Sequence, residues 1–484
     1  MSATRSRAAE RSAVQSRRDQ LQAYRFVNRR ALAALVTGEP DVIDPPMRRL
    51  TVTTISGIMI AILIAAGFAL FGVIRPAPGD KWKQPGAIIV ERETAARYVL
   101  IDKVLHPVLN YSSAVLAVGT NQKATVVLVD RAVLKSARRG PAIGIDGIPD
   151  SLPSAKDLVG SPWTVCSRLQ AGQADQLDAS VSVLVGSDAA AVQVPDTQAV
   201  VAQAVTGGGR YLLWQGQRLG ISSTTVATSL GLQNAASVQV GTALLDAVTP
   251  GPILRAPDIR GLGTASSIMI RNAHLLVGQL LHITDNDQFF LVLADGVAAV
   301  NPVETALLRT LPIGPEHKPQ APVATSESVE LGLPASQRDW KTVAAQFFGL
   351  PDKIPSLVDT AAQNGGICAV YRDGAAKATF AVPPSILPAF TSSRVVESVP
   401  SRQGLADTVV LAPGRAAVVK SSDGSATVFV VAEPGKKFAA ASPEVLGGFG
   451  YSGISPVSLP SQLLPMIPTG PALDPLAARS PVTG

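Results

Sequence analysis

Residues Leu50 to Ile74, LTVTTISGIMIAILIAAGFALFGVI, carry no charged side chain. As an α-helix this run spans about 37 Å, enough to cross a hydrocarbon core of about 30 Å with some tilt. Lipid offers no water to the backbone N–H and C=O groups, so a run of this length is read as a helix. It also divides the chain unequally. A short Arg-rich leader precedes it, and about 410 residues follow, more than one compact core holds.

The formal charge of +6 would suit a nucleic-acid binder if it were spread over the large part. Residues 1–49, however, hold ten Arg against Glu10, Asp19, Glu39, Asp41 and Asp44, which leaves the rest near neutral. The excess therefore reads as topology, with the N-terminus cytoplasmic and the bulk of the chain in the cell envelope, and it excludes nucleic acid as a partner. A cleaved signal peptide would have an apolar core of about 7–15 residues behind a short basic region. Here both the run and the leader are too long, and Arg75-Pro76 follows, so an uncleaved single-pass anchor is expected.

The leader carries its own pattern. Ser16 opens a predicted helix in which Leu21, Tyr24, Val27, Ala31 and Leu35 share a face and Arg18, Arg25 and Arg29 take another, and Gly38 and Pro40 end it. A basic amphipathic helix beside a membrane suits a lipid surface or a cytoplasmic partner. Tyr24 and Phe26 are its candidate partner contacts. In the membrane, Gly57, Ala61, Ala65 and Ala69 recur every four residues, an interval at which small side chains let another helix approach closely.

Beyond the membrane a four-fold pattern is visible. Its end is an aliphatic pair, five residues, then Gly-Pro: Val133-Leu134 to Gly140-Pro141, Leu244-Leu245 to Gly251-Pro252, Leu307-Leu308 to Gly314-Pro315, and Leu463-Leu464 to Gly470-Pro471. Upstream of each lies a strand pair, with turn signals at Gln215-Gly216, Asp295-Gly296 and Pro434-Gly435. A short helical patch, Ser113–Val118, Thr224–Leu230 or Pro443–Phe449, sits between hairpin and Gly-Pro, whereas the third copy passes straight into VETALLRT. The pattern predicts repeats over 75–141, 207–257, 258–315 and 423–475, then a tail at 476–484.

The only two cysteines, Cys166 and Cys368, fall in the gaps 142–206 and 316–422, both rich in short Val/Thr runs. In an oxidising compartment such a pair is most simply a disulfide, and neither has a second Cys or a His at metal-ligand spacing. The two gaps are expected to fold together as one β module stapled by Cys166–Cys368. The predicted class is α+β: a cytoplasmic helix, one transmembrane helix over 50–74, and an elongated extracytoplasmic region of four hairpin-plus-helix repeats around that module.

Chemistry is absent from the pattern. His106, His274, His282 and His317 form no H-E-x-x-H, and no G-x-S-x-G occurs. Gly435-Lys436-Lys437 has Val430 where a phosphate loop needs its first Gly and Lys437 where it needs Ser or Thr, so a hairpin turn is the better reading. Asp285-Asn286-Asp287 reads as a solvated turn, because no carboxylate completes a Ca²⁺ loop. Trp82, Trp163, Trp214 and Trp340 lack the neighbouring acids of a sugar site and read as core or interface residues. No catalytic residue, metal ligand or cofactor site is predicted.

Six blocks carry a resemblance: RDQLQAYRFVNRR (Arg18–Arg30), RYVLIDKVLHPVLNYSSAVLAVG (Arg97–Gly119), IGIDGIPDSLP (Ile143–Pro153), WTVC ending at Cys166, ADGVAAVNPVETALLRT (Ala294–Thr310) and LLPMIPTGPALDP (Leu463–Pro475). In order and spacing they resemble EccB, the single-pass membrane component of the actinobacterial ESX, or type VII, secretion machine. The resemblance implies a scaffold that assembles with EccC, EccD, EccE and other EccB copies in an inner-membrane complex, with a mycosin protease nearby. A membrane-anchored protein that binds cell-wall glycan, such as peptidoglycan, is the alternative. ATPase activity, proposed for this family, is disfavoured by the missing phosphate loop and by the scarcity of ATP outside the membrane.

Overall fold

The computed structural model describes residues 17–38, 46–74, 80–119, 124–171, 177–313, 318–319, 321–326, 332–358, 366–372, 374–383 and 404–482. Ser16, Pro40, Gly314-Pro315 and His317 lie outside the described residues. The chain divides into two units, one ending at Asp80 and one beginning at Lys81.

The first unit holds α1 (Arg17–Thr37) and α2 (Pro46–Ile74). Gly38 stops α1 with a positive φ of 74°, and its N–H bonds back to the Ala34 carbonyl at 3.1 Å. The second helix begins four residues before the apolar run because Pro46 suits a first helical position, where no N–H is needed. Near its start Thr53 and Thr54 donate their hydroxyls to the Leu50 carbonyl at 3.0 and 2.8 Å, so neither presents an unpaired donor. From Leu50 to Leu70 none of the span is buried.

The second unit opens with a sheet of β1 (Ala87–Glu91), β2 (Arg97–Ile101), β3 (Val104–Pro107) and β4 (Thr125–Val129) in the order β3-β2-β1-β4. The first three strands meander antiparallel. The chain then crosses through α3 (Tyr111–Val118), capped by Asn110, and β4 returns parallel to β1. Next come α4 (Arg131–Leu134), β5 (Trp163–Ala171), β6 (Leu177–Val185) and β7 (Val192–Gln193). A second sheet contains β8 (Gln198–Ala204), β9 (Arg210–Trp214), β10 (Gln217–Gly220), β11 (Ser237–Val240) and β12 (Thr249–Pro250), ordered β11-β8-β9-β10-β12, with α5 (Thr224–Ser229) and α6 (Thr242–Ala247) in its connections.

A hairpin of β13 (Ala265–Ile270) and β14 (Ala273–Leu276) leads to β15 (Leu280–Ile283), β16 (Gln288–Leu293) and β17 (Gly296–Val300). Then come α7 (Pro302–Leu308), a short pair β18 (Pro312–Ile313) and β19 (Lys318–Pro319), and β20 (Val323–Thr325), parallel to β15. After the helix Arg338–Ala344, β21 (Ser356–Leu357) pairs with β8. The chain then adds β22 (Ile367–Tyr371), β23 (Thr379–Val382) and β24 (Thr408–Val410), and ends in β25 (Ala416–Ser421), β26 (Val428–Ala432), β27 (Lys436–Ala439) and β28 (Val457–Leu459), ordered β27-β26-β25-β28. Four sheets thus share one plan, a three-strand meander whose first strand is flanked by a parallel fourth. Strands from two distant stretches interleave in the remaining large sheet, β24-β6-β5-β22-β23-β7. In it Cys166 lies opposite Cys368 on antiparallel neighbours, and the two are disulfide-bonded.

Three cores tie these sheets together. One joins the first and fourth sheets, through residues such as Ile88, Val99, Val418 and Val430. Another joins the fourth, central and second, through Val419, Val431, Trp163, Val165 and Leu213. The last joins the second and third, through Leu212, Leu232, Leu291 and Leu307.

The third sheet departs from the sequence reading. Leu307-Leu308 lie in α7, directly after the third strand, where the other sheets place α3, α5 and the helix Val445–Gly448. They are therefore not the counterparts of Val133-Leu134, Leu244-Leu245 and Leu463-Leu464, which follow the fourth strand. An amphipathic helix of seven residues and a chain-closing aliphatic pair look alike in sequence, and α7 has the stronger local code: Asn301 and Glu304 form a capping box with Pro302 at the first position. Residues 323–357 also leave the central sheet, to which the sequence reading assigned them. β20 joins the third sheet, β21 joins the second, and Val343 and Phe347 pack in the core those sheets share.

Candidate interaction surfaces

Register aligns the four sheets residue by residue. The second-strand residues Tyr98, Tyr211, Phe290 and Phe429 face Pro107, Gly220, Ala299 and Ala439. Two positions earlier on the third strand stand Leu105, Arg218, Val297 and Lys437. The carbonyl of each accepts the N–H of a closing segment: Gly140 at 3.0 Å, Gly251 at 2.9 Å, Ser336 at 2.8 Å and Gly470 at 2.9 Å. The next third-strand side chain decides whether that residue must be glycine. A Cβ on Gly140 would lie 2.3 Å from the His106 ring, and one on Gly470 2.3 Å from the Phe438 ring. In the third sheet the neighbour is Ala298, and Ser336 occupies the position with its hydroxyl on the Asp295 carboxylate. The spaced Gly-Pro signal thus reports a large side chain beneath it.

Polar groups that looked chemical in the sequence are occupied by structure. Lys437 is buried, and its ammonium donates to the carbonyls of Leu464 and Ile467 at 2.7 and 2.5 Å. Burial pushes its pKa down to about 8. His106 bonds the Pro141 carbonyl, His274 the Ser266 carbonyl, and His282 the Asp287 carboxylate at 2.6 Å while stacking on Phe289. Desolvation raises the pKa of Asp295, but hydrogen bonds from the Ser336 hydroxyl and from the N–H groups of Asp339, Gln337 and Arg338 outweigh it and hold the carboxyl below its ordinary value. Asp295 therefore anchors the start of the helix Arg338–Ala344 to the hairpin turn of β16 and β17. Among the described residues no three His, Cys, Asp or Glu side chains gather as metal ligands.

The remaining sequence-predicted residues are surface residues. Tyr24 is 69% exposed and Phe26 60%, the latter with the Arg30 guanidinium 5.8 Å from its ring centre. Gly57, Ala61, Ala65 and Ala69 are all exposed along α2, and nothing lies within 4 Å of a Cβ placed on Gly57. Cys166 and Cys368 are brought together as a disulfide. The shared aromatic position and the cation at Arg218 and Lys437 escaped the sequence reading. Their available signal was the Arg-Tyr that opens both RYVLI and RYLLW.

Comparison with known proteins gives one family. The model "Type VII secretion system ESX-1, transport TM domain B", EccB, matches residues 13–482. The chain is similar to "ESX-3 secretion system ATPase EccB3" of Mycobacterium tuberculosis (strain ATCC 25618 / H37Rv), 28% identical over 94% of this chain and 88% of the relative. It is also similar to "ESX-2 secretion system ATPase EccB2" of the same strain, 29% identical over 95% and 93%. A solved EccB3 dimer from the ESX-3 core complex superposes with a TM-score of 0.63 at 25% identity, covering 81% of this chain and 100% of that one. A chain of an intact ESX-5 inner membrane complex shares the fold, with a TM-score of 0.64 at 24% identity over 97% and 96%.

Proposed function

The chain belongs to the EccB family of type VII (ESX) secretion system components, and on that premise we propose that it is a structural, single-pass subunit of such an inner-membrane complex. The observation that carries this reading is the contrast between α2, whose span Leu50–Leu70 is wholly unburied, and the second unit, whose cores close on themselves. An apolar helix of that length with nothing over it needs lipid and neighbouring helices. The Arg excess of residues 1–49 favours a cytoplasmic N-terminus, with the second unit in the periplasm or cell envelope. EccC-, EccD- and EccE-type subunits and further copies of the chain are the partners this role requires, and a mycosin protease fits beside them. We read the second unit as four repeats around the disulfide-bonded sheet, with the third repeat running on to Ser336.

The word ATPase in the relatives' names does not transfer easily. No G-x-x-x-x-G-K-[ST] occurs in the sequence, and the nearest candidate is a hairpin whose Lys437 already holds two carbonyls. A scaffold extracted in mild detergent should migrate on native gels in one complex with several different membrane proteins. Migration as a free monomer or homodimer under conditions that keep those partners assembled would overturn the reading.

A further inference from the structure

The second sheet leaves unfinished a position that the fourth sheet completes. Lys437 and Arg218 are counterparts on the third strand, and Lys437 spends its charge on two carbonyls. The Arg218 guanidinium instead stands 6.0 Å from the centre of the Tyr211 ring, its Nε is buried without a partner, and its one carboxylate neighbour, Asp246, is 3.8 Å away, beyond hydrogen-bond reach. The exposed part of this guanidinium, with its carboxylate neighbour beyond hydrogen-bond reach, favours an added anionic acceptor.

That acceptor has room. Arg218 lines an open groove of about 480 Å³ together with Tyr211, Gly220, Ser222, Pro250 and Ile253. No acidic residue lines it, and its volume falls in the range of ligand sites. Of its lining, Ile253 is 58% exposed; outside the lining, Phe348, at 89%, is the most exposed large apolar side chain described in the second unit. The chain segments that carry them adjoin, since a Cβ on Gly349 would sit 3.8 Å from Pro252. The groove also borders β12, the last strand of its sheet, where Pro250 lines it and the Gly251 N–H is taken by the Arg218 carbonyl.

We propose that this groove binds an extended peptide segment of a partner protein, taking an Asp or Glu carboxylate on Arg218 and a neighbouring apolar side chain against Ile253 and Phe348. A peptide that carries a carboxylate beside an apolar side chain matches both features at once, the cation and the exposed apolar groups. The other sheets lack the site, because Leu105 and Val297 are uncharged and Lys437 is occupied.

The test uses the full chain in detergent micelles and two fluorescent peptides, acetyl-Gly-Leu-Glu-Leu-Gly-amide and its Gln counterpart, with empty micelles as the blank. The Glu peptide should bind about tenfold more tightly than the Gln peptide, as a charge-assisted pair implies. Arg218→Gln should erase that preference. Phe348→Ala, a change at a side chain already in solvent, should weaken both peptides several-fold without moving the tryptophan unfolding midpoint. Equal binding of the two peptides, a preference that survives Arg218→Gln, or no binding by either would overturn the proposal. Displacement of the Glu peptide by N-acetylmuramate at equal concentration would overturn it in favour of a glycan carboxylate.

Discussion

The two units of this chain solve opposite problems. In the unit ending at Asp80 every described large apolar side chain, from Leu21 and Tyr24 on α1 to Phe68 and Leu70 on α2, faces outward. From Lys81 onward apolar side chains close into shared cores, a disulfide joins strands 202 residues apart in sequence, and backbone groups left over by one sheet are taken up by its own closing segment. The first unit is finished by its surroundings, the second by itself. All four tryptophans, Trp82, Trp163, Trp214 and Trp340, lie in the second unit, so tryptophan fluorescence of the full chain follows that unit alone.

The largest effect should come from opening the disulfide. It closes a long loop, and the chain-entropy model assigns such a closure about 5 kcal/mol. Cys166→Ala with Cys368→Ala should lower the tryptophan unfolding midpoint steeply while the chain stays in the membrane fraction, because α2 does not depend on the central sheet. An unchanged midpoint would mean that the interleaved strands hold without the covalent tie, and that the second unit's self-sufficiency lies in its cores alone.

Next comes the contact under Gly470. Phe438 is fully buried, and Phe438→Ala should cost about 3–5 kcal/mol. Gly470→Ala should cost about 1–3 kcal/mol, since its new methyl would meet the Phe438 ring at 2.3 Å. The double variant should be more stable than the sum of the two predicts, because the alanine then occupies space the ring has left. Strict additivity would separate the two residues and leave the spaced glycines without a steric cause.

A smaller and pH-dependent effect is expected at Asp295. Its folded pKa lies below the ordinary value of 3.8, so the contribution of its hydrogen bonds is fully present above that value and is lost as pH falls through the folded pKa. Asp295→Asn should therefore destabilise the third sheet at neutral pH by less than about 1 kcal/mol, the scale of a deleted helix cap, since the amide oxygen still accepts. The curves of parent and variant should converge as pH falls through that folded pKa. A difference that persists unchanged into strong acid would show that the carboxylate's charge plays no part.

What the sequence made legible was set by local chemistry. An uncharged run needs no partner to be read, and the turns at Gln215-Gly216 and Asp295-Gly296 announce themselves through a glycine that takes positive φ, 72° at Gly216 and 154° at Gly296. The disulfide needed only two cysteines and a compartment. The third sheet was misread because β20 is three residues long and Leu307-Leu308 imitate a motif that belongs elsewhere in the fold. The groove at Arg218 was invisible for a different reason. Its meaning rests on the strand register that sets it against Lys437, and on the absence there of the carbonyls that Lys437 finds. Neither is a property of neighbouring residues in the chain.

The smallest effect on stability, and the largest on assembly, should come from the first unit. Tyr24 and Phe26 on α1 and the line Gly57, Ala61, Ala65, Ala69 on α2 are all exposed and belong to no core of the second unit. Tyr24→Glu with Phe26→Glu places one charge on the apolar face of the helix and one beside the Arg30 guanidinium. Ala61→Leu with Ala65→Leu fills the shallow seam through which a neighbouring membrane helix would approach. Each pair should leave the tryptophan unfolding midpoint within about 0.5 kcal/mol of the parent, the usual range for surface changes, and leave the chain in the membrane. Each should lower co-purification with the other secretion subunits. If both pairs assemble like the parent, recruitment must come from the second unit, and α1 is then a lipid-surface helix whose basic face meets headgroups. If instead either pair shifts the tryptophan midpoint, the two units are coupled, and the division of labour between them fails.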